Sequence, residues 1–368
     1  MRIRLHRLDV PLVRPFRTSF GTEFKRDVLL VEAIGDGISG WGECVAMDWP
    51  GYSPEYTDGA IDVIGRHLLP TLTGITGQTD PQEVRDRTRP MLGHPMAKAA
   101  LETALLDLWL RGREMSLARY LGAVRDRVDC GVSVGIPTSE SLADLLGEVE
   151  EYVDAGYRRL KLKIEPGWDV EPVAAVRARW PEMPLQVDAN QAFTRADGPL
   201  LARLDDLDLL LIEQPLPEDD WYGHVLLAQQ VRTPICMDES ILSVVSADSA
   251  INLGATSIIN IKPGRVGGYL TARDIHDLCV ARDVPVWCGG MLETGIGRAA
   301  NLALAAMPGF TLPGDTSASS RYYSQDVTQP FVLEDGQLPV PTGPGIGVDP
   351  IPEVLQQLTT WSAELVIG

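Results

Sequence analysis

Five short apolar runs end on charged residues at a nearly constant interval, and this spacing constrains the fold more than any other feature of the chain. The runs are RRLKLKIE, PLQVDAN, LLLIEQP, PICMDES and IINIKPG, and they close on Lys163, Asp188, Glu213, Asp238 and Lys262. The steps between those residues are 25, 25, 25 and 24. Such an interval holds one strand, one helix and two loops, and eight units of that kind close a (β/α)8 barrel of about 250 residues or fewer. Buried parallel strands are continuous Val/Ile/Leu runs, as these are. Barrels of this type carry their active sites at the C-terminal strand ends, where the five charges are expected to converge.

Strand candidates follow at 128–134, 158–164, 184–188, 208–213, 234–238, 257–262, 284–288 and 310–314, with helical stretches between them. The alternation stops after Asp315-Thr316-Ser317. Upstream, MRIRLHRLDVPL reads as a strand, and DVLLVEAI and ISGWGECV flank the turn Gly35-Asp36-Gly37. RPFRTSFGT (14–22) and MDWPGYSPEY (47–56) read as loops, the second entering a helix with Ser53 as N-cap and Pro54 at its first position. Asp80 opens another helix, and Ala97, Leu101, Ala104, Leu105 and Leu108 share one face of a third. The expected architecture is α/β: an α+β capping domain (1–124), a modified TIM-type barrel as catalytic domain (125–318), and a tail (319–368) that packs back on the capping domain.

At 368 residues and 45% hydrophobic the chain can bury a large core. No apolar run reaches the ~18 residues needed to cross a membrane. The five cysteines are odd in number and form no Cys-x-x-Cys pair, which fits reduced, buried thiols in a cytoplasmic protein. The five histidines show no zinc spacing. A net charge of -19 argues against nucleic acid and anionic membranes as partners.

Counting strands from 128, Lys163 ends the second and Lys262 the sixth, which are diametrically opposite in an eight-stranded barrel. Asp188, Glu213 and Asp238 end the three strands on the arc between them. Three carboxylates on neighbouring strands make a hard oxygen site suited to Mg2+, with Mn2+ or another divalent cation as the alternative. Opposed lysines about such a metal suit removal of a proton α to a carboxylate, with the metal stabilising the enediolate. Lys161, on the same strand face as Lys163, is expected to lower its pKa together with the metal. Arg265 is open between acting likewise on Lys262, a phosphate-like or carboxylate contact, and a structural loop bond. Ser133 stands where strand one ends, so it is a candidate substrate contact. Glu43 and Glu293 read as caps or structural pairs, Asp315 is left open, and the glycines after Lys262 do not match a phosphate-binding spacing. Two other classes remain: a Schiff-base aldolase, since a strand lysine can attack a carbonyl, and a non-catalytic binding module.

Lys161-Leu162-Lys163, Asp188-Ala189-Asn190, Glu213-Gln214-Pro215, Asp238-Glu239-Ser240 and KPGRVGG from Lys262 resemble the muconate-lactonizing subgroup of the enolase superfamily. RPFRTSFGT, GVSVGI, KLKIEPGWDVEPV, NIKPGRVGG, VWCGGMLETGIGRA and LPGDTSAS resemble the o-succinylbenzoate synthase / N-succinylamino acid racemase family along nearly the whole chain. Use of a lysine base with Mg2+ in that superfamily is general knowledge. The resemblance implies that Asp188, Glu213 and Asp238 bind Mg2+ and that Lys163 and Lys262 are the acid/base pair. In racemisation the two lysines would work on opposite faces of the substrate. In the dehydration that forms o-succinylbenzoate, a step of menaquinone biosynthesis, Lys163 would serve alone while Lys262 stays a cation. The resemblance further implies that Lys161 holds the substrate carboxylate or tunes Lys163, with Asn190 at the substrate and Glu239 and Arg265 behind the site. Ser133, Gly290 and Met291 would meet the succinyl end, and the loops of Phe20 and Tyr52 would close the mouth. Its partners would be a succinylated amino acid or cyclohexadiene carboxylate and further copies of the chain. Dipeptide epimerase and muconate cycloisomerase are the near alternatives.

Overall fold

The computed structural model describes residues 1–367. β1 (Arg2–Thr18) and β2 (Gly21–Gly35) form a long antiparallel hairpin. β2 turns into β3 (Ile38–Cys44) through Asp36 and Gly37, both at positive φ (52° and 76°), as the turn residues anticipate. The stretch 14–22, expected to be a loop, is instead the hairpin's outer end. Phe16, Arg17 and Thr18 pair with Glu23, Thr22 and Gly21 beyond a break in register after Pro11. The helix expected from Ser53 begins at Thr57, because Ser53 Oγ closes a local turn by accepting from the Glu55 amide at 3.2 Å. Asp80 does cap its helix, accepting from Gln82 at 2.8 Å.

Helix Pro95–Arg111 lies directly on the sheet because β3 presents glycine to it. A Cβ on Gly40 would stand 2.2 Å from the Leu108 nitrogen, and one on Gly42 2.1 Å from the Ala100 oxygen. The helix is buried on nearly every side, not only on the apolar face read from its period, since the barrel covers what the sheet leaves. Two carboxylates inside this burial carry backbone bonds. Glu102 accepts from Leu270 at 3.1 Å, and Asp107 from Trp41 and Ile346 at 2.7 Å each.

β4 (Arg127–Asp129) precedes the barrel. A seven-stranded parallel sheet then curls through β5 (Gly131–Val134), β6 (Arg159–Lys163), β7 (Leu185–Asp188), β8 (Ile212–Glu213), β9 (Ile235–Met237), β10 (Ile258–Ile261) and β11 (Val286–Cys288) in chain order. Helices Leu142–Asp154, Val170–Arg179, Trp221–Gln230, Val244–Leu253, Tyr269–Ala281 and Gly295–Ala305 cover its outside. Eight strands were expected; among the described residues there are seven. The candidate at 310–314 is reduced to two parallel bridges, Val286 to Phe310 and Cys130 to Gly314, which close the ring between β11 and β5. Pro313 lacks a ladder donor and Gly314 has no side chain to pack, so no regular strand forms there. The candidate at 128–134 splits at Cys130 into β4 and β5. Inside the barrel Leu211, Cys236, Ile258 and Trp287 make a small separate core.

In the tail, β12 (Gln337–Pro339) pairs antiparallel with β4, and β13 (Thr359–Val366) pairs antiparallel with β1 to complete a four-stranded sheet. The tail therefore reaches the barrel as well as the N-terminal sheet. All five cysteines are free and buried. Among the described residues no helix is long and apolar enough to cross a membrane.

Candidate active site

Strand alternation aims residues of equal parity into the barrel. On β6 these are Arg159, Lys161 and Lys163; on β7, Gln186 and Asp188. The same rule selects Glu213, Asp238, and Asn260 with Lys262 on the later strands. Lys163 and Asp188 are register partners, as are Asp188 and Glu213, whereas Glu213 pairs with Cys236 and thus lies two residues below Asp238. This stagger is the tilt of a closing barrel. All five charged strand ends are buried, and the two lysines stand on opposite sides of the three carboxylates.

Each carboxylate is drawn to a cation. Lys163 Nζ donates to Asp188 Oδ2 and Asn190 Oδ1, both at 2.6 Å. Lys161 Nζ lies 3.1 Å from Glu213 Oε2 and 3.3 Å from Asp188 Oδ2. Lys262 Nζ donates to Asp238 Oδ2 at 2.8 Å and to the Tyr52 hydroxyl at 3.1 Å. Arg265 Nη1 pairs with Asp238 Oδ1, while its Nε and Nη2 donate to the carbonyls of Ile241 and Asn260 at 2.9 and 2.8 Å. Asn190 also donates to Glu239 at 3.0 Å.

The lysines differ in their balance of fields. Burial pulls the Lys163 pKa below its ordinary value of 10.5; Asp188 opposes this and Lys161 reinforces it. The expected influence of Lys161 is therefore present but secondary to burial. Lys262 goes the other way: burial is outweighed by Tyr52, Glu213, Glu239 and Asp188, which hold it protonated. Of the alternatives for Arg265, the structure shows the carboxylate contact and the structural bonds, since its guanidinium is held by Asp238 and two carbonyls. Burial, with Asp188 nearby, raises Glu213 and lifts Glu239 to about 7.

Asp188, Glu213 and Asp238 offer hard oxygen donors suited to a divalent cation. Glu213 Oε2 makes no well-aligned hydrogen bond among the described residues, and its one close partner is the Lys161 ammonium at 3.1 Å. As the side chains stand, no three acidic or soft ligands among the described residues converge on one point. Lysine, arginine and amide donors occupy the carboxylate oxygens instead. The donor set nonetheless fits in kind, since it offers three hard carboxylates from neighbouring strand ends.

The other sequence candidates fall into two groups. Ser133, paired in register with Lys161, faces the interior, and its buried hydroxyl has no partner among the described residues. Gly290 sits against Asp315 and Glu293, whereas Met291 packs into the core of the N-terminal sheet. Glu43 and Glu293 serve as expected: Glu43 accepts from the Thr294 amide and hydroxyl at 3.0 and 2.6 Å and from Gly297 at 2.9 Å, capping helix Gly295–Ala305. Glu293 accepts from Met291 at 2.9 Å and Asn301 at 3.0 Å.

Tyr52, expected only to cover the mouth, reaches the site itself; its hydroxyl lies 3.3 Å from Asp238 Oδ2. Phe20 lies beside it, with ring centroids 6.0 Å apart and the rings tilted by 54°, and Ser19 donates to the Ala189 and Asn190 carbonyls at 3.1 Å. The hairpin tip thus leans on the strand ends beside a cleft of about 370 Å³ lined by Ser19, Phe20, Glu165 and Asn190. Sequence reasoning missed Asn260, which donates to Glu213 Oε1 at 2.7 Å. Its signal was available, since it stands two residues before Lys262 and shares that inward face.

Comparisons with known proteins converge on this arrangement. Residues 2–122 match the N-terminal domain of mandelate racemase / muconate lactonizing enzyme, and residues 144–354 match the enolase C-terminal domain-like family. An N-succinylamino acid racemase from Amycolatopsis sp is 58% identical over 367 residues, covering 100% of this chain and 98% of that protein. An o-succinylbenzoate synthase from Geobacillus kaustophilus is 47% identical, covering 94% and 92%. The crystal structure of an enolase-superfamily member from Listeria innocua superposes with a TM-score of 0.94 at 40% identity, covering 100% and 99%.

Proposed function

We propose, on the premise that this chain belongs to the mandelate racemase / muconate lactonizing enzyme family of the enolase superfamily, that it racemises N-succinylamino acids by moving the α-proton between two lysines. The observation that carries this reading is the placement of Lys163 and Lys262 on opposite sides of Asp188, Glu213 and Asp238, each within hydrogen-bond reach of one of the carboxylates. Asp188, Glu213 and Asp238 would hold Mg2+ or a similar divalent cation. When bound, that cation supplies charge stabilisation for the substrate carboxylate as its α-carbon loses a proton. Lys163 takes the proton from one face, helped by a lowered pKa, and Lys262 returns one to the other. Ser133 is placed to meet the substrate's remote end from strand one. The hairpin tip and Tyr52 exclude water from the reacting centre. The relatives at 58% and 47% identity support this substrate class. The same reading carries a cytoplasmic, homo-oligomeric enzyme with a capping domain over residues 1–124 and a catalytic barrel after it.

A second reading, dehydration of a cyclohexadiene carboxylate to o-succinylbenzoate, is favoured by one observation. Lys262 is held protonated by Tyr52, Glu213, Glu239 and Asp188, as a spectator cation opposite a single working base should be. The two readings are separated by incubation with Mg2+ and an N-succinylamino acid in deuterated water, followed by NMR, with a chelated control. Metal-dependent loss of the α-proton signal together with inversion supports racemisation. Absence of exchange in protein that binds Mg2+ removes it and leaves dehydration.

A further inference from the structure

Arg159, Lys161 and Lys163 stack up one face of β6, all inside the barrel and all buried. Three like charges in such a column need anions at matching heights. Asp188 answers Lys163 at the top. Below it, Lys161 Nζ lies 2.6 Å from Asp315 Oδ2, closer than it comes to Asp188 or Glu213, and 4.8 Å from the centre of the Trp287 ring. Arg159 Nη1 donates to the other oxygen of Asp315 at 2.9 Å.

Asp315 follows the reduced eighth strand, so it occupies the strand-end position that the 25-residue spacing leaves unfilled. Ring closure does not depend on its carboxylate. The Asp315 amide donates to the Cys288 carbonyl at 2.9 Å, and Gly131 donates to the Gly314 carbonyl at 2.7 Å. The Pro313 carbonyl already takes two bonds from Arg159, at 2.8 and 3.3 Å. The backbone closes the barrel, and the side chain is left with the charges.

We propose that Asp315 is a positioning residue: shared between Arg159 and Lys161, it takes the shortest of the three ion pairs of the Lys161 ammonium and so weakens that ammonium's hold on Asp188 and Glu213, the carboxylates a divalent cation must share. Without it, the two carboxylates that Lys161 already reaches at 3.3 and 3.1 Å are its only close anions among the described residues, and the ammonium competes with the metal for them more strongly. The inference rests on the reading of Asp188, Glu213 and Asp238 as the metal site.

The test is Mn2+ alone, titrated into the full chain and followed by the loss of free-ion EPR signal. Wild-type protein must bind and Asp238→Asn must bind at least tenfold more weakly; if either fails, the metal-site reading falls, whatever Asp315 does. Given both, Asp315→Asn is expected to weaken Mn2+ binding at least tenfold. It should also raise the Mn2+ concentration for half-maximal α-proton exchange, with the rate at saturating metal recovering toward wild type. A purely structural role would lower the melting temperature and leave the Mn2+ Kd of the folded protein within twofold of wild type, and that result overturns the proposal. Should Asp315→Asn not fold, Arg159→Gln removes the surplus cation and carries the comparison. Arg159→Gln alone should bind Mn2+ within twofold of wild type, while Arg159→Gln with Asp315→Asn should bind at least tenfold more weakly. Equal affinity in the two refutes the assignment.

Discussion

Single side chains decide the chemistry, and the two lysines are set to be tested apart. In Lys262→Ala, Lys163 should still exchange the α-proton of one enantiomer in deuterated water, while racemisation falls by roughly 10²–10⁴-fold. Lys163→Ala should show the reverse preference, and chiral chromatography of the recovered substrate reads both. If either variant exchanges both enantiomers at wild-type rates, that lysine is not a base. A lysine acts as a base only when neutral. Because the folded protein pulls the Lys163 pKa below 10.5, the exchange rate it controls should rise with pH with a midpoint below that value. A midpoint at or above 10.5 would contradict the burial argument. The placement of the five strand-end charges was legible in the sequence because each closes an apolar run. The role of Arg265 stayed open in the sequence because its partner, Asp238, sits 27 residues away and is joined to it only by barrel curvature.

Periodicity found the strands and helices where one element ends on one charge, and it failed where pairing depends on remote sequence. The run 128–134 breaks at Cys130 because β4 takes its partner from residues 337–339, which local pattern cannot reveal. The run 310–314 lost its ladder to Pro313. The outer hairpin was mistaken for a loop because Pro11 to Phe16 interrupts its alternation. Close contact between elements leaves its trace in glycine, and this gives a prediction. Gly42→Ala places a methyl 2.1 Å from a helix carbonyl, so helix Pro95–Arg111 must lift from β3. The expected cost is about 1–3 kcal/mol or more, read as a lower midpoint in urea, whereas Gly74→Ala, with no atom within 4 Å of its Cβ, should lose only what its positive φ demands. Equal losses would mean that the sheet does not press on the helix.

Across the whole molecule, buried carboxylates join the N-terminal unit to the barrel. Burial lifts both Glu43 and Glu102 to about 7, above the ordinary 4.5. Each therefore binds its proton more tightly folded than unfolded, so the stability it lends is complete below about pH 4.5 and is lost as pH rises through 7. The loss approaches roughly 3 kcal/mol per group when fully expressed. Melts by circular dichroism in chelator should show a midpoint that falls between pH 5 and 8, with a shallower fall in Glu43→Gln; a midpoint that climbs over this range would refute the sign. The same two side chains have another consequence. Glu43 caps helix Gly295–Ala305, and Glu102 receives the Leu270 amide at the start of helix Tyr269–Ala281, so two barrel helices borrow their N-terminal acceptors from a separate layer. A barrel made without residues 1–124 would leave the Thr294, Gly297 and Leu270 amides without these acceptors. The two layers are expected to unfold together, and calorimetry of the full chain checks this: one transition is the expected outcome, and two well-separated transitions would refute it.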